Sequence, residues 1–260
     1  MNQYYDSEID MPASLGAHEA HVWYAWTDRC STPALLDYYR SLLNVQEQER
    51  LSRLAFDHLK TEYLLTRTLC RTSLSRYASI APQDWSFRTN AYGRPEIETP
   101  AAPPDLRFNL SNARSLVACI VTRGCEAGID VEEVNRKTET LSIAEHVFSA
   151  VELSGLKALP QAQQRQRFFD LWTLKESYIK ARGMGLSIPL DQFSFVLADP
   201  KIDISFASAL PDTATEWQFS LHHLSEHHTM ATSVRHGKQP ELTLHISEVI
   251  PQMPALQKRA

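Results

Sequence analysis

Apolar and polar residues alternate along several stretches of the chain, with the period of two that is typical of half-buried β-strands. Residues 21–26 show the pattern, with Val22, Tyr24 and Trp26 on one face. Further strands are predicted at 106–111, 115–121, 127–132, 193–197, 217–222, 229–235 and 241–246, and shorter ones at 85–88 and 96–98.

Two longer stretches have the spacing of helices instead. Residues 46–79 place leucines at intervals of three and four, and residues 168–182 are apolar on two faces, which predicts a largely buried helix. Gly183 directly after the second stretch is a typical helix terminator. Phe148-Ser149 followed by Glu152 fits a capping box at the start of a third helix, which is a sufficient structural explanation for Glu152.

The order of these elements predicts an α+β fold with two parts. Each half reads as a strand, then helices, then several strands, and the turn at residues 123–126 is the predicted boundary. We therefore expect an N-terminal α+β half over residues 1–124 and a C-terminal α+β half over 125–250. Residues 1–17 and 251–260 are expected to be loose tails.

Composition and charge narrow the functional class. The segment 40–123 is net basic and the segments on either side of it are net acidic, a distribution that suits a polyanionic ligand bridged by a metal, although chance surface variation explains it equally well. The basic residues lack the interleaved aromatic residues of a single-strand nucleic-acid binder. No apolar run is long enough to cross a membrane and the N-terminus has no signal pattern, so a cytoplasmic protein is expected.

Asp130 and Glu132 alternate with Ile129 and Val131 in the strand predicted at 127–132, so both carboxylates face the same way. Two carboxylates on one face can converge on Mg²⁺, which prefers oxygen ligands and retains water and phosphate oxygens. Taken alone, alternating acids on a strand are more often a solvated face.

Glu176 adds a third acid in an unexpected place. It shares a stripe of the predicted helix with Phe169, Trp172 and Ile179, a stripe that should lie in the core. A lone buried carboxylate is costly unless it is paired or binds a metal. The alternatives are an ion pair with Lys180, four residues later, or a role as metal ligand or base beside Asp130 and Glu132.

The histidines at 222, 223, 227 and 228 flank a predicted hairpin turn. A metal site and simple turn histidines are both compatible with this spacing. No third ligand type is spaced for zinc, which favours the second interpretation.

The motifs together resemble the 4′-phosphopantetheinyl transferases of the Sfp type. They are Gly128-Ile-Asp-Val-Glu132, Phe148-Ser149 with Glu152, Leu171-Trp-Thr-Leu-Lys-Glu-Ser-Tyr-Ile-Lys180, the run from Gly183, Tyr92-Gly-Arg-Pro95 and Phe108-Asn-Leu-Ser111. The resemblance covers residues 45–235. It implies a fold of two similar α+β halves related by pseudo-twofold symmetry, with coenzyme A and Mg²⁺ bound between them.

The resemblance also implies an activity. Such enzymes transfer phosphopantetheine from coenzyme A to a serine of an apo acyl, aryl or peptidyl carrier protein and release 3′,5′-adenosine bisphosphate. A monomer is the expected state, because the two halves bury each other. The alternative is a non-catalytic module that binds coenzyme A or a carrier protein with the same fold.

The roles that the resemblance implies can be placed on particular residues. Asp130, Glu132 and Glu176 match the metal-binding acids, and Glu176 would also be the base. Lys180 would lie near the pyrophosphate, with Lys175 as a second motif lysine, and Arg94 and Ser111 would contact the nucleotide. Asn112 stands where the family usually has histidine, and an amide can hydrogen-bond phosphate but carries no charge.

Overall fold

The computed structural model describes residues 14–198 and 201–252. Its first repeat begins with a strand, continues through helices and a short hairpin, and ends with two long strands. These elements are β1 (Glu19–Trp26), α1 (Pro33–Ser41), α2 (Val45–Ser52), α3 (Asp57–Ser75), β2 (Phe87–Thr89), β3 (Pro95–Ile97), β4 (Leu106–Ala113) and β5 (Leu116–Arg123).

The second repeat follows the same order of elements. It comprises β6 (Glu126–Glu133), α4 (Thr140–Val147), α5 (Ala150–Ala158), α6 (Gln161–Arg182), β7 (Phe193–Ala198), β8 (Lys201–Phe206), β9 (Trp217–Ser225) and β10 (His228–Arg235). The first sheet has the strand order β1–β5–β4 and the second has β6–β10–β9, so each repeat places its last strand between the first and the penultimate one. This repetition confirms the prediction of an α+β fold with two similar halves.

The last strand, β11 (Thr243–Glu248), departs from the expected division of the chain. It pairs in parallel with β1, with Glu19 opposite Thr243, and so extends the N-terminal sheet instead of the C-terminal half. The expected tails are also partly ordered. Leu15 is buried in the N-terminal core, and the Pro251 carbonyl accepts a hydrogen bond from the Tyr39 hydroxyl at 3.0 Å. The rest of both predicted tails, 1–13 and 253–260, lies outside the described residues.

The helix predicted over 46–79 is two helices, α2 and α3, separated by residues 53–56. The helical spacing continues across the break because Leu51 before it and Leu64 after it pack on the same core. Asn44 and Glu47 form a capping box that fixes the start of α2. The helix α1 and the strand β8 were not predicted.

A seam of side-chain hydrogen bonds joins the two sheets. The edge strands β4 and β6 lie side by side, and two buried side chains of β4 accept hydrogen bonds from the backbone of β6. Asn109 Oδ1 accepts from the Ile129 N–H at 2.9 Å, and Ser111 Oγ accepts from the Val131 N–H at 3.2 Å. These side chains satisfy backbone donors that would otherwise be buried without a partner.

The buried hydrophobic residues of the described ranges form three clusters. One surrounds α3 in the N-terminal half, and a second surrounds α6 in the C-terminal half. The third is formed by β1, β5, β6 and β10 and lies between the two sheets, with Val22, Ile120 and Ile129 fully buried. The seam and this third core together hold the halves against each other.

Among the described residues, every helix is too short or too polar to cross a bilayer.

A buried ion pair lies in the core of the C-terminal half. Lys175 Nζ is 2.8 Å from Glu152 Oε2, and the two side chains are 0% and 1% exposed. The same ammonium donates to the carbonyls of Leu190 and Phe193 at 2.7 and 2.6 Å. Glu152 also completes the predicted capping box with Ser149. Lys175 therefore ties α6 to α5 and to the start of β7, and its ammonium has no surface on which to meet coenzyme A, contrary to the expected role.

We expect Asn109→Ala to lower the free energy of unfolding by about 1–3 kcal/mol, because the Ile129 N–H would lose its partner while remaining buried. Urea denaturation would measure the change. Asn112→Ala is the matched control, since it is the same truncation on the same strand at an exposed position. Equal, small effects of the two substitutions would contradict the structural role of the seam.

We expect Lys175→Met to lower the free energy of unfolding by about 3–5 kcal/mol, because it leaves the Glu152 carboxylate buried without its cation. The double variant Glu152→Gln with Lys175→Met should recover part of that loss. Chemical denaturation of the two single variants and the double variant gives the coupling energy of the pair. Native stability in Lys175→Met would show that the pair does not support the core.

Candidate active site

A close approach of α6 to β6 places the candidate site residues. Gly128 lies where β6 crosses α6, and a Cβ there would fall 2.1 Å from the Ser177 carbonyl oxygen and 2.4 Å from the Ala181 nitrogen. Any other residue would push the helix away from the strand. The glycine thus allows the face of α6 that carries Glu176 and Lys180 to lie next to Asp130.

Helical spacing then aligns the functional side chains of α6. Trp172, Glu176 and Lys180 are each four residues apart and face the same way. Gly183 ends the helix with φ +64°, in the left-handed conformation, and its N–H bonds to the Ile179 and Lys180 carbonyls. The predicted helix is thereby confirmed, although it begins earlier than expected, at Gln161.

These side chains line a cavity of about 470 Å³ between the edge strands and α6. Its walls come from the end of β4, the end of β6 and the following loop, and the exposed side of α6. They are Leu110, Ser111, Asn112, Ala113, Arg114, Asp130, Val131, Glu132, Glu133, Arg136, Trp172, Glu176 and Lys180. The acids predicted to act together are therefore brought to one cavity, with cations from both halves.

Asp130 is held by a compact hydrogen-bonded network. Its Oδ1 accepts from the Ser111 hydroxyl at 2.9 Å and from Lys180 Nζ at 2.7 Å, and Lys180 also donates to Ser111 Oγ at 2.7 Å. The Ser111 hydroxyl thus donates once and accepts from both Lys180 and the Val131 N–H. The other carboxylate oxygen, Asp130 Oδ2, is buried and has no hydrogen-bond partner in the part of the chain that the structure describes.

Glu132 has a partner on each oxygen. Trp172 Nε1 donates to Oε1 at 2.8 Å, and Arg136 Nη1 lies 2.9 Å from Oε2. Burial, and after it repulsion from the nearby Asp130 carboxylate, raise the pKa of Glu132 to about 7, although Arg136, Trp172 and Lys180 each lower it. This acid is consequently easier to protonate than an ordinary glutamate.

Glu176 is half-buried in the cavity wall. Its pKa is raised, first by burial and then by repulsion from Asp130. The alternative ion pair with Lys180 is not seen among the described contacts, because the Lys180 ammonium lies on Asp130 instead. The side chain is thus available for a proton or a cation.

The chemistry of these acids fits a hard divalent cation. Their ligand atoms are carboxylate oxygens, which Mg²⁺ prefers, and Asp130 Oδ2 is an orphaned buried acceptor that a cation would satisfy. Within the described residues, His, Cys, Asp and Glu side chains form no ready-made group of three arranged around one point. A bound Mg²⁺ would therefore require side chains of the cavity to rearrange.

Two other predicted contacts lie elsewhere. Arg94 donates to the Ala181 carbonyl at 2.8 Å and packs beside Gly183, so it joins the β2–β3 turn to the end of α6 and does not line the cavity. Lys175 is in the C-terminal core. The family motif, rather than any physical signal in the sequence, suggested a ligand role for both.

Asn112 lies at the rim of the cavity, where its Nδ2 donates to Glu62 Oε1 on α3. Burial raises the pKa of Glu62. The amide donor expected to meet a phosphate is therefore directed at a carboxylate in this structure. Three of the four histidines near the β9–β10 turn take separate partners: His223 contacts Asp170, His227 contacts Asn135, and His228 contacts the Arg114 carbonyl. Within the described residues, Nε2 of the fourth, His222, is buried without a hydrogen-bond partner.

Sequence reasoning missed two side chains that touch Glu132. Arg136 follows it by four residues, but the intervening loop carries no periodic pattern that would predict their contact. Trp172 appeared only as part of the apolar stripe, although its position one helical turn before Glu176 indicated a place near the acids. Arg114, at the end of β4, was likewise not predicted.

Comparison with known proteins gives independent evidence of the family. The model of the 4′-phosphopantetheinyl transferase superfamily matches residues 126–233, which include β6 and α6. A 4′-phosphopantetheinyl transferase of Bacillus subtilis is 33% identical over 191 residues, covering 74% of this chain and 81% of the relative. The 4′-phosphopantetheinyl transferase Sfp of Bacillus subtilis (strain 168) is 31% identical over 221 residues, covering 85% and 94%.

A third relative, the 4′-phosphopantetheinyl transferase HetI of a Nostoc species, is 29% identical over 174 residues, covering 67% of this chain and 73% of the relative. The level of identity and the share of both chains that is covered exceed what a common fold alone requires. The chain belongs to the 4′-phosphopantetheinyl transferase superfamily.

Proposed function

We propose that the protein transfers the 4′-phosphopantetheine group from coenzyme A to a serine of an apo carrier protein and releases 3′,5′-adenosine bisphosphate. The observation that carries the proposal is the convergence of Asp130, Glu132, Glu176 and Lys180 on one cavity, in a chain of this family. The cavity is open and lined by charged side chains, as a diphosphate-bearing substrate requires.

In the proposed reaction the carrier serine oxygen bonds to the phosphorus that bears pantetheine. The bond from that phosphorus to the bridging diphosphate oxygen breaks, and the electron pair leaves with 3′,5′-adenosine bisphosphate. Such transfers depend mainly on positioning and on neutralising charge. Mg²⁺ bound by the cavity acids would supply neutralisation of the diphosphate.

Glu176 is the proposed base for the serine proton. Its raised pKa makes it a stronger base than an ordinary glutamate. Among the described residues, its carboxylate forms no salt bridge, because the Lys180 ammonium lies on Asp130. Lys180 is the proposed positioning cation, because its ammonium lies where it can neutralise a phosphate oxygen without losing Asp130. Ser111 holds both Asp130 and Lys180 in place.

The remaining expectations stay predictions. They are Mg²⁺ as the metal, a monomer as the assembly and the cytoplasm as the location. Fatty-acid, polyketide and peptide-synthetase carriers are all compatible with the site, since no described feature selects among them.

We expect the protein, given coenzyme A and Mg²⁺, to add one phosphopantetheine arm to an apo carrier protein. Intact-mass measurement across a panel of fatty-acid, polyketide and peptide carriers checks the reaction directly. Binding of coenzyme A with no mass gain on any carrier would favour the non-catalytic alternative and defeat the proposal.

We expect Asp130→Ala and Glu176→Ala each to abolish transfer while the protein remains folded. Glu176→Gln should lower turnover by at least about 100-fold, because it retains size and hydrogen bonding but loses basicity. Glu145→Gln, which removes an exposed acid outside the cavity, is the matched control and should retain turnover. Near-normal transfer by Glu176→Gln at ordinary Mg²⁺ concentrations would show that Glu176 is not the base.

A further inference from the structure

Arg136 occupies an unusual position beside the cavity acids. It lies in the loop between β6 and α4, and its guanidinium reaches back to Glu132, with Nη1 2.9 Å from Oε2. It lines the cavity described above and also a neighbouring cavity of about 510 Å³ on the other side of the loop. Its side chain is 39% exposed, so the guanidinium has room to move.

The backbone of this loop, in contrast, is held firmly. Arg165 on α6 donates to the carbonyls of Val134 at 2.7 Å and Thr138 at 3.3 Å, and also to the carbonyl of Arg136 itself. Arg165 and Arg136 both lie over the Phe169 ring, with guanidinium carbons 5.4 and 5.2 Å from its centroid. The point of attachment of Arg136 is therefore fixed, while its exposed end can exchange partners.

Asp130 and Glu132 on β6 are each compensated by one cation. Lys180 lies on Asp130 and Arg136 lies on Glu132. These two contacts differ, because Lys180 is also hydrogen-bonded to Ser111, whereas Arg136 Nε is buried with no hydrogen-bond partner among the described residues. The Arg136 contact is thus the more weakly held of the two.

We propose that Arg136 is an exchangeable internal cation of the metal site. It holds Glu132 in place while no metal is bound, and it gives up that carboxylate when a divalent cation arrives. The freed guanidinium then takes a phosphate oxygen of the nucleotide substrate in the same cavity. The inference rests on the proposed function, since it assumes a divalent cation and a diphosphate ligand at this site.

Charge and geometry support the exchange. A carboxylate that is ion-paired with an arginine binds a metal ion less tightly than a free carboxylate. The guanidinium and the metal ion repel each other, and both compete for the same negative charge. Trp172, as a neutral donor on the other oxygen, can stay in place throughout. A guanidinium also suits phosphate, because its planar fork matches two phosphate oxygens.

The test uses Mn²⁺ as the probe, because its paramagnetism allows free ion to be counted. In the absence of substrate, Arg136→Gln should bind Mn²⁺ roughly three- to tenfold more tightly than the native protein, as loss of a partly buried competing ion pair predicts. The same variant should bind 3′,5′-adenosine bisphosphate several-fold more weakly when Mn²⁺ is present, since the phosphate loses its guanidinium. Equilibrium titrations of both ligands provide the measurement.

Arg114→Gln is the matched control. Arg114 lines the same cavity and its loss changes the net charge equally, but it has no ion pair with Glu132 among the described contacts. If the loss of any positive charge from the cavity were sufficient, both variants would bind Mn²⁺ more tightly by the same factor. That result would overturn the proposal. Unchanged or weaker Mn²⁺ binding in Arg136→Gln would also overturn it, as would native protein that binds no Mn²⁺.

This experiment separates the inference from the proposed activity. A protein that shows the Mn²⁺ difference but transfers nothing to any carrier would retain the role of Arg136 and lose the transferase proposal. Efficient transfer with equal Mn²⁺ affinities in the native protein and Arg136→Gln would retain the activity and refute the exchange.

Discussion

The hydrogen bond from the Val131 N–H to Ser111 Oγ is the contact on which both the fold and the site depend. It joins the edge strands of the two sheets, and the same hydroxyl donates to Asp130 and accepts from Lys180. The hydroxyl uses one donor and two acceptor positions, which is its full capacity. The contact between the halves and the arrangement of the acids therefore depend on the same hydroxyl. A chain with separated halves would have no such cavity.

The close approach of α6 to β6 at Gly128 determines where Glu176 and Lys180 lie. Because Gly128 has no side chain, α6 comes within van der Waals contact of β6, and the turn of the helix then sets the height of Glu176 and Lys180 relative to Asp130. Neither Asp130 nor Glu132 could share a ligand with α6 across a wider gap. The glycine at the start of the motif is thus as necessary for the site as the carboxylates themselves.

Local periodicity predicted the parts of this site that belong to single elements. Alternation placed Asp130 and Glu132 on one face, and helical spacing placed Glu176 with Trp172. Contacts between distant segments had no such signal. The pairing of β11 with β1 and the place of Lys175 in the core are both decided by tertiary packing. The motif resemblance suggested roles for Lys175 and Arg94, but it could not show that their cationic groups are used inside the protein.

Two carboxylate–cation pairs in this protein have different consequences, because one is buried and the other is accessible to solvent. Glu152 and Lys175 are sealed from water and bonded to several backbone groups, so neither partner can leave without exposing a bare charge in the core. Glu132 and Arg136 meet at the wall of a cavity, where water can replace either partner at modest cost. A pair of the first kind fixes the position of α6, whereas a pair of the second kind keeps an acid compensated and still available. The proposed binding of a cation and then a polyanion would use both kinds, because the helix would have to stay in place while the charges around it exchange.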